Sequence, residues 1–422
     1  MARTRVPNRR LRALVEEAGW TQAGLARAIN AVGAEIGLSL HYDRSSVAHW
    51  LSGSRPGREA LPLLYEVLRR RLGRVVTPEQ AGFGAAAPVV PAQHTNAADN
   101  GLSDLLHNLA RLLPYRPADA WPGNRGALTV PRQRQAAPPQ DVRPTGPAST
   151  AVGFFAETWL AQGGGFARTT LRTYLAEAVA GRLREPEPSA HREWCAEASR
   201  LTLLLGRMYA DDLRHGAAQR CFVTARDLAL AVGHQDLAVI AVRTMSTQAY
   251  ALGHLRIADG AARAAVRGGR ATPLEVRAFA QAQLAVTTAS RGERGEALAA
   301  LRTAEAAVGG GGDGRHAFDS YARADFEFQR AETLLVLGDG AEAARALEHA
   351  LSTRSASDRR GLALTRLRLA QVQLSLGRVD EVRRHEQALR GELEGLRSES
   401  GIQRLHALQR SLRRFADRAA RE

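Results

Sequence analysis

The sequence predicts an all-α protein in which an N-terminal helix-turn-helix bundle precedes a solenoid of helical hairpins. Three observations carry that expectation. Short amphipathic stretches punctuated by Gly and Pro fill residues 1–83. Beyond Ala151, Ala, Leu and Arg recur at helical spacing with almost no β-branched alternation. Within that second half, one helix, Gly-turn, helix shape returns at intervals of about 40 residues.

A chain of 422 residues exceeds what a single core organises, and composition shows where it divides. Residues 1–83 read as the helix-turn-helix domain and residues 151–422 as the repeat domain. Between them, 84–150 turns to Ala, Pro, Gln and Gly, and its ten prolines, from Pro88 to Pro147, forbid long helices. One apolar stretch at 102–113 has helical spacing and predicts a short helix in what is otherwise linker.

In the first domain Pro7 is placed to open a helix that Gly19 closes, and Thr21 caps the next, within a bundle of about five helices. The second helix, from Trp20 to Ile29, buries Leu25, Ala26 and Ile29 and leaves Gln22 in its exposed first turn. A third follows from Asp43, where Val47 and Trp50 face the core and Gly53 ends the helix in a turn. Arg44, Ser45, Ala48 and His49 then face outward on the part of the helix that meets base edges when a recognition helix lies in the major groove. Arg44 suits a guanine. Ser46, Ser52, Ser54, Arg55 and Arg58 are placed to meet phosphates. A closing helix is expected between Leu61 and Phe83, its Arg69-Arg70-Arg71 run either touching DNA backbone or simply solvated.

Charge points the same way once its location is considered. Basic residues outnumber acidic ones 58 to 43, for a formal charge of +15, and every one of the 58 is arginine. An arginine-for-lysine habit of a high-GC genome raises the isoelectric point with no nucleic acid involved. Density decides: residues 1–83 hold 13 Arg against 7 acids, whereas 151–422 hold 39 against 32. Double-stranded DNA is the expected partner of the first domain. Cys195 and Cys221 are too few for a disulfide framework and are expected as buried thiols. No apolar run approaches the ~20 residues that span a bilayer, and no secretory segment opens the chain, so a cytoplasmic, nucleoid-associated protein with no membrane contact is expected.

The repeats are marked by glycines at 216, 253, 292, 338 and 377, at intervals of 37, 39, 46 and 39 residues, the longest containing the glycine run 309–314. With small residues after each turn, these intervals indicate a tetratricopeptide-like α-solenoid. His215, His234 and His254 fall near turns, where a cationic ring can meet carbonyls at a helix C-terminus. No His-Glu-x-x-His or Gly-x-Ser-x-Gly occurs, and the glycine run lacks a following Lys-Ser/Thr, so no enzymatic activity, metal or cofactor is expected.

Thr21-Gln22, Leu25-Ala26, Ser45-x-Val47-x-x-Trp50 and the exit Gly53-Ser-Arg-Pro56 resemble the Xre or Cro/C1 type of repressor-like helix-turn-helix. One departure is visible: Ala26 and Ser46 lie 20 positions apart because Asn30 to Tyr42 lengthens the connection. With the repeats, and with Arg207-Met-Tyr-Ala-Asp-Asp212, Ala218 to Phe222, Met245 to Ala249, Leu252-Gly-His254 and Asp319-Ser-Tyr321, the chain is similar to actinomycete helix-turn-helix and tetratricopeptide regulators of the Nsd type. That resemblance implies repression of differentiation or secondary-metabolism genes. A homodimer on a palindromic or repeated operator is expected, its repeat domain supplying dimerisation and answering a small-molecule or peptide effector. Asp211, Gln219, Gln248 and Tyr321 either line the groove for that effector or cap helices and bridge repeats. The alternative function is an interaction scaffold whose helix-turn-helix does not read DNA.

Overall fold

A computed structural model describes residues 7–35, 38, 40–57, 60–72, 76, 80–83, 98–109, 115–117, 147–183, 188–308 and 321–419. These residues form helices and no strand, as expected, and no helix among them is long and apolar enough to cross a membrane. The chain divides into two compact units with the main boundary after Asn96.

Among its described residues the first unit has four helices rather than five: α1 (Arg9–Glu17), α2 (Gln22–Glu35), α3 (Arg44–Leu51) and α4 (Ala60–Leu72). Asn8, not Pro7, caps α1, its Oδ1 accepting from Leu11 N at 3.0 Å. The same side chain donates from Nδ2 to Ala81 O at 2.9 Å, and Asn8 N donates to Leu51 O at 2.9 Å. One residue thus ties the start of α1 to the ends of α3 and of the domain. Leu11, Leu14, Val15, Leu25, Ile29, Val47, Trp50, Leu63, Leu64 and Leu68 close over one another as the core.

The long connection between α2 and α3 is absorbed in two ways. α2 runs on to Glu35, well past Ile29. Asn30 then clamps the returning chain, donating from Nδ2 to Tyr42 O at 2.8 Å and accepting from Tyr42 N at 3.0 Å. α4 stops at Leu72 instead of reaching Phe83, although Val76, Ala81 and Phe83 are buried in the same core. Of the arginine run, Arg71 is structural: Nε donates to Ala18 O at 2.9 Å and the guanidinium lies 5.9 Å from the Trp20 ring centroid. It satisfies a carbonyl left open where α1 ends.

The second unit begins earlier than residue 151. The linker helix is α5 (Ala98–Asn108), ahead of the expected 102–113, and it packs on the π-helical turn Leu175–Val179 within this unit. α6 (Pro147–Gln162) starts four residues before Ala151 and leads into α7 (Gly164–Tyr174). Then come five hairpins: α8 (Pro188–Asp211) with α9 (His215–Ala231), α10 (Gln235–Ala251) with α11 (Leu255–Gly268), α12 (Leu274–Ala289) with α13 (Arg294–Ala307), α14 (Arg323–Val336) with α15 (Gly340–Thr353), and α16 (Arg359–Ser375) with α17 (Val379–Leu393). α18 (Glu399–Ala419) follows them.

The marker glycines were legible because four turns use one geometry. Gly253, Gly292, Gly338 and Gly377 all have φ between 77° and 85°, a left-handed conformation that a Cβ disfavours. At each, the glycine amide bonds back three residues and the next amide five, as in Gly338 N to Leu335 O and Asp339 N to Leu334 O. Gly216 does not belong to this set; it lies inside α9, and in the preceding turn Leu213 takes φ 60°. Alanines on the second helices, such as Ala258, Ala261, Ala262 and Ala265 of α11, are fully buried and let the helices of each hairpin approach closely. Arginines bridge successive hairpins, Arg294 to Asp339 at 2.7 Å and Arg368 to Glu332 at 2.9 Å among them. Much of the arginine of this half is therefore spent on internal ion pairs.

The hairpin series closes on itself through Asp211. Its buried carboxylate accepts from Gly164 N at 2.9 Å, Arg360 at 2.9 Å, Ser398 Oγ at 2.8 Å and Ser400 Oγ at 2.7 Å, joining the beginning of the unit to its end. Burial alone would raise this pKa, but Arg360 and the hydrogen-bond donors hold it below the usual carboxylate range. Backbone bonds from Gly165 N to Arg397 O and from Arg397 N to Gln162 O seal the same seam. Gly163 and Gly164 are needed there, because a Cβ would stand 2.5 Å from Arg397 O and 2.6 Å from Met208 O.

Candidate nucleic-acid interface

α3 is an eight-residue helix held at both ends and along one face. At its start, Asp43 Oδ1 accepts from Ser46 N at 2.8 Å and from the Ser46 hydroxyl at 2.9 Å, while Asp43 N donates to Ser46 Oγ at 3.4 Å. The Ser46 amide and then its hydroxyl keep the Asp43 carboxyl below its ordinary pKa. At its end, Gly53 takes φ 104°, Gly53 N donates to Trp50 O at 3.1 Å, and Ser54 N donates to His49 O at 3.0 Å. Val47 is 0% and Trp50 6% exposed, and Tyr42 meets the indole edge-on at 5.1 Å. A short helix restrained in this way keeps its outer face in one orientation.

That outer face carries Arg44, Ser45, Ala48 and His49, all exposed. Arg55 is exposed in the exit turn, Ser54 is half-buried beside it, and Pro56 is buried as the anchor. α2 packs on α3, and its first turn is capped by Thr21, whose Oγ accepts from Gly24 N at 3.0 Å. Gln22 is half-buried rather than exposed. Arg58 lies outside the described residues.

Two of the residues expected at phosphates bond locally within the helix. A serine hydroxyl has one proton to give. That of Ser46 goes to Asp43, and that of Ser52 to His49 O at 2.8 Å, so both close the helix instead of reaching outward. Asp43, Asn30 and Asn8 are what the sequence reading missed. Asp43 had a signal, an Asp followed three residues later by Ser at a helix start. Asn30 and Asn8 act on backbone 12 and 73 residues away and had none.

In the second unit three of the four groove candidates make polar contacts within the protein and the fourth is buried. Asp211 is the closure just described. Gln219 is buried and clasps the linker, donating from Nε2 to Arg116 O at 2.5 Å and accepting from Arg116 N at 2.8 Å. Tyr321 is core, its ring 5.3 Å from that of Phe279 and its hydroxyl directed at Asp325 O at 3.4 Å. Gln248 is buried on α10. For Asp211 and Gln219 the bridging role replaces the groove role, because their polar atoms are engaged within the protein. The turn histidines also differ from expectation: His215, His234 and His254 stand at helix starts, and burial pushes His215 and His234 down to about 4, leaving both neutral at pH 7. Cys195 and Cys221 are buried free thiols, as expected.

Residues 11–84 match the family described as the SP15 N-terminal domain. The likeness spans the four helices that build the candidate interface and ends beside Phe83, the last core residue of the first unit. No curated protein matches the chain.

Proposed function

We propose that the chain is a sequence-specific transcriptional regulator that binds double-stranded DNA, with α3 as its recognition helix. The observation that carries this reading is the solvent-facing Arg44, Ser45, Ala48 and His49 on a helix whose opposite face is locked by Val47 and Trp50. In such a helix base-reading groups face outward on a rigid support, so their geometry is set before DNA arrives. Arg44 reads a guanine, Ser45 and His49 read neighbouring edges, and Arg55 with the amide end of α2 beside Gln22 holds phosphates. The density of arginine in residues 1–83 supplies the electrostatic attraction.

The regulator acts as a homodimer on two half-sites, since a two-fold pair doubles the contacts of one short helix. Repression of differentiation or secondary-metabolism genes, at the nucleoid, follows the resemblance to Nsd-type regulators. The second unit, a stack of helical hairpins of tetratricopeptide kind, supplies dimerisation and effector response. Titrating a fragment of the protein's own promoter with wild type, Arg44→Ala and His49→Ala tests the reading. Loss of one bidentate base contact costs about 1–3 kcal/mol, so Arg44→Ala weakens binding roughly 5- to 150-fold. Only nonspecific, salt-labile binding by wild type would overturn it.

A further inference from the structure

The connection between α2 and α3 is long enough to leave α3 at many angles, since Ala26 and Ser46 lie 20 positions apart. Part of its length folds on itself. Leu38 N donates to Gly33 O at 2.9 Å, and Leu40 lies over Gly33, where a Cβ would stand 2.5 Å from Leu40 Cδ1. Leu38 and Leu40 both pack against the core. These contacts fold the excursion, and the angle of α3 is set by another pair of residues, Asn30 and Tyr42.

Asn30, half-buried on α2, spends both polar atoms of its amide on one residue. Its Nδ2 donates to Tyr42 O at 2.8 Å and its Oδ1 accepts from Tyr42 N at 3.0 Å. One hydrogen bond fixes a distance and leaves rotation about itself. Two bonds, to the N–H and the C=O of the same residue, also fix how that residue's backbone is turned. Tyr42 passes this orientation to α3 twice. Along the chain it is followed by Asp43, whose carboxylate caps the helix at Ser46 N, 2.8 Å away. Through space its ring meets Trp50 edge-on at 5.1 Å, near the other end of the helix. Both ends of α3 are thus referred to one side chain on α2, and the ends of a long connection are held as a short turn would hold them. Side chains that read bases need this, because a recognition constellation works only within about 0.5 Å and 10–20° of its productive geometry.

We propose that Asn30 is a positioning residue for base reading: through Tyr42, its amide sets the angle at which α3 presents Arg44, Ser45 and His49 to DNA. The proposal rests on the reading of α3 as the recognition helix and adds what orients it.

The test compares wild type, Asn30→Ala, Asn30→Asp and Val32→Ala, each at a temperature where it is fully folded. Two quantities are measured: the ratio of affinities for promoter and scrambled duplexes, and hydrogen exchange at the Tyr42 amide without DNA. Asn30→Ala lowers the ratio roughly tenfold, within the range that one bidentate base contact supplies, and leaves affinity for the scrambled duplex nearly unchanged. Asn30→Asp keeps the shape of the side chain but has no proton for Tyr42 O, so it also loses the ratio; its added charge acts on both duplexes alike. Val32 is a core residue of the same helix, so Val32→Ala lowers the Tm and keeps the wild-type ratio. In both Asn30 variants the Tyr42 amide exchanges faster. Should Asn30→Ala fail to fold, the isosteric Asn30→Asp carries the test. A wild-type ratio in either folded Asn30 variant, an equal loss in Val32→Ala, or unchanged exchange at Tyr42 overturns the proposal. A wild-type protein with no preference for its promoter overturns the DNA reading, and base positioning with it; the exchange measurement needs no DNA and shows separately whether the clamp holds.

Discussion

In the first unit the polar groups of α3 stand in solvent above an apolar core, whereas in the second the arginines are largely turned to partners within the protein. Arg44 and Arg55 are exposed; Arg243 lies over the Phe279 ring, and Arg360 meets the Trp159 ring and the Asp211 carboxylate. The same residue type therefore does different work in the two places. On α3 it is available to a partner, and in the hairpin series it joins helices far apart in sequence. Net charge alone does not distinguish these uses, which is why the density of arginine in residues 1–83 is more informative than the total of +15.

Substitutions that separate the two regions sharpen the contrast. The largest stability effect belongs to Asp211. Removing its carboxylate leaves Arg360 buried without its partner and strands two serine hydroxyls, so Asp211→Ala costs about 3–5 kcal/mol, read as a lowered urea midpoint. Asp211→Asn, which keeps the shape, loses less. Asn8→Ala in the first unit costs about 1–2 kcal/mol, because the helix cap and the tie to Ala81 go together. Urea unfolding that tracks the indole fluorescence of this unit measures it; an unchanged midpoint would show that the tie does not hold α1.

A pH slope in the second unit is the remaining contrast. Burial, helped by Arg200, holds His234 at about 4, so between about 6.5 and 4 the unfolded chain binds more protons than the folded one. Stability is fully present above pH 6.5 and falls as pH drops through that window. His234→Asn flattens this part of the Tm profile, and an unaltered slope would assign the acid sensitivity elsewhere.

What the sequence made legible follows from how far each interaction reaches. Four of the five marker glycines and the Val47 and Trp50 face are local, set by backbone conformation and by helical periodicity over a few residues, and these stand where the pattern put them. The Asp211 closure joins residues 47 to 189 positions apart, and no periodicity announces such a bond. The local bonds of Ser46 and Ser52 were not legible for a related reason: a serine at a helix end reads the same whether its proton goes to a phosphate or to a neighbouring acceptor. The arginines of the interior were hidden by abundance, since one arginine among 58 carries no signal until its neighbours are known.

The most direct measurement is a competition of promoter DNA against a scrambled duplex of equal length at one fixed salt concentration, for wild type and Arg44→Ala. If α3 reads bases, wild type prefers its promoter by several orders of magnitude, and Arg44→Ala lowers that ratio while leaving affinity for the scrambled duplex nearly unchanged. A wild-type ratio near one, or a ratio that survives Arg44→Ala intact, would contradict the assignment of α3 as the recognition helix.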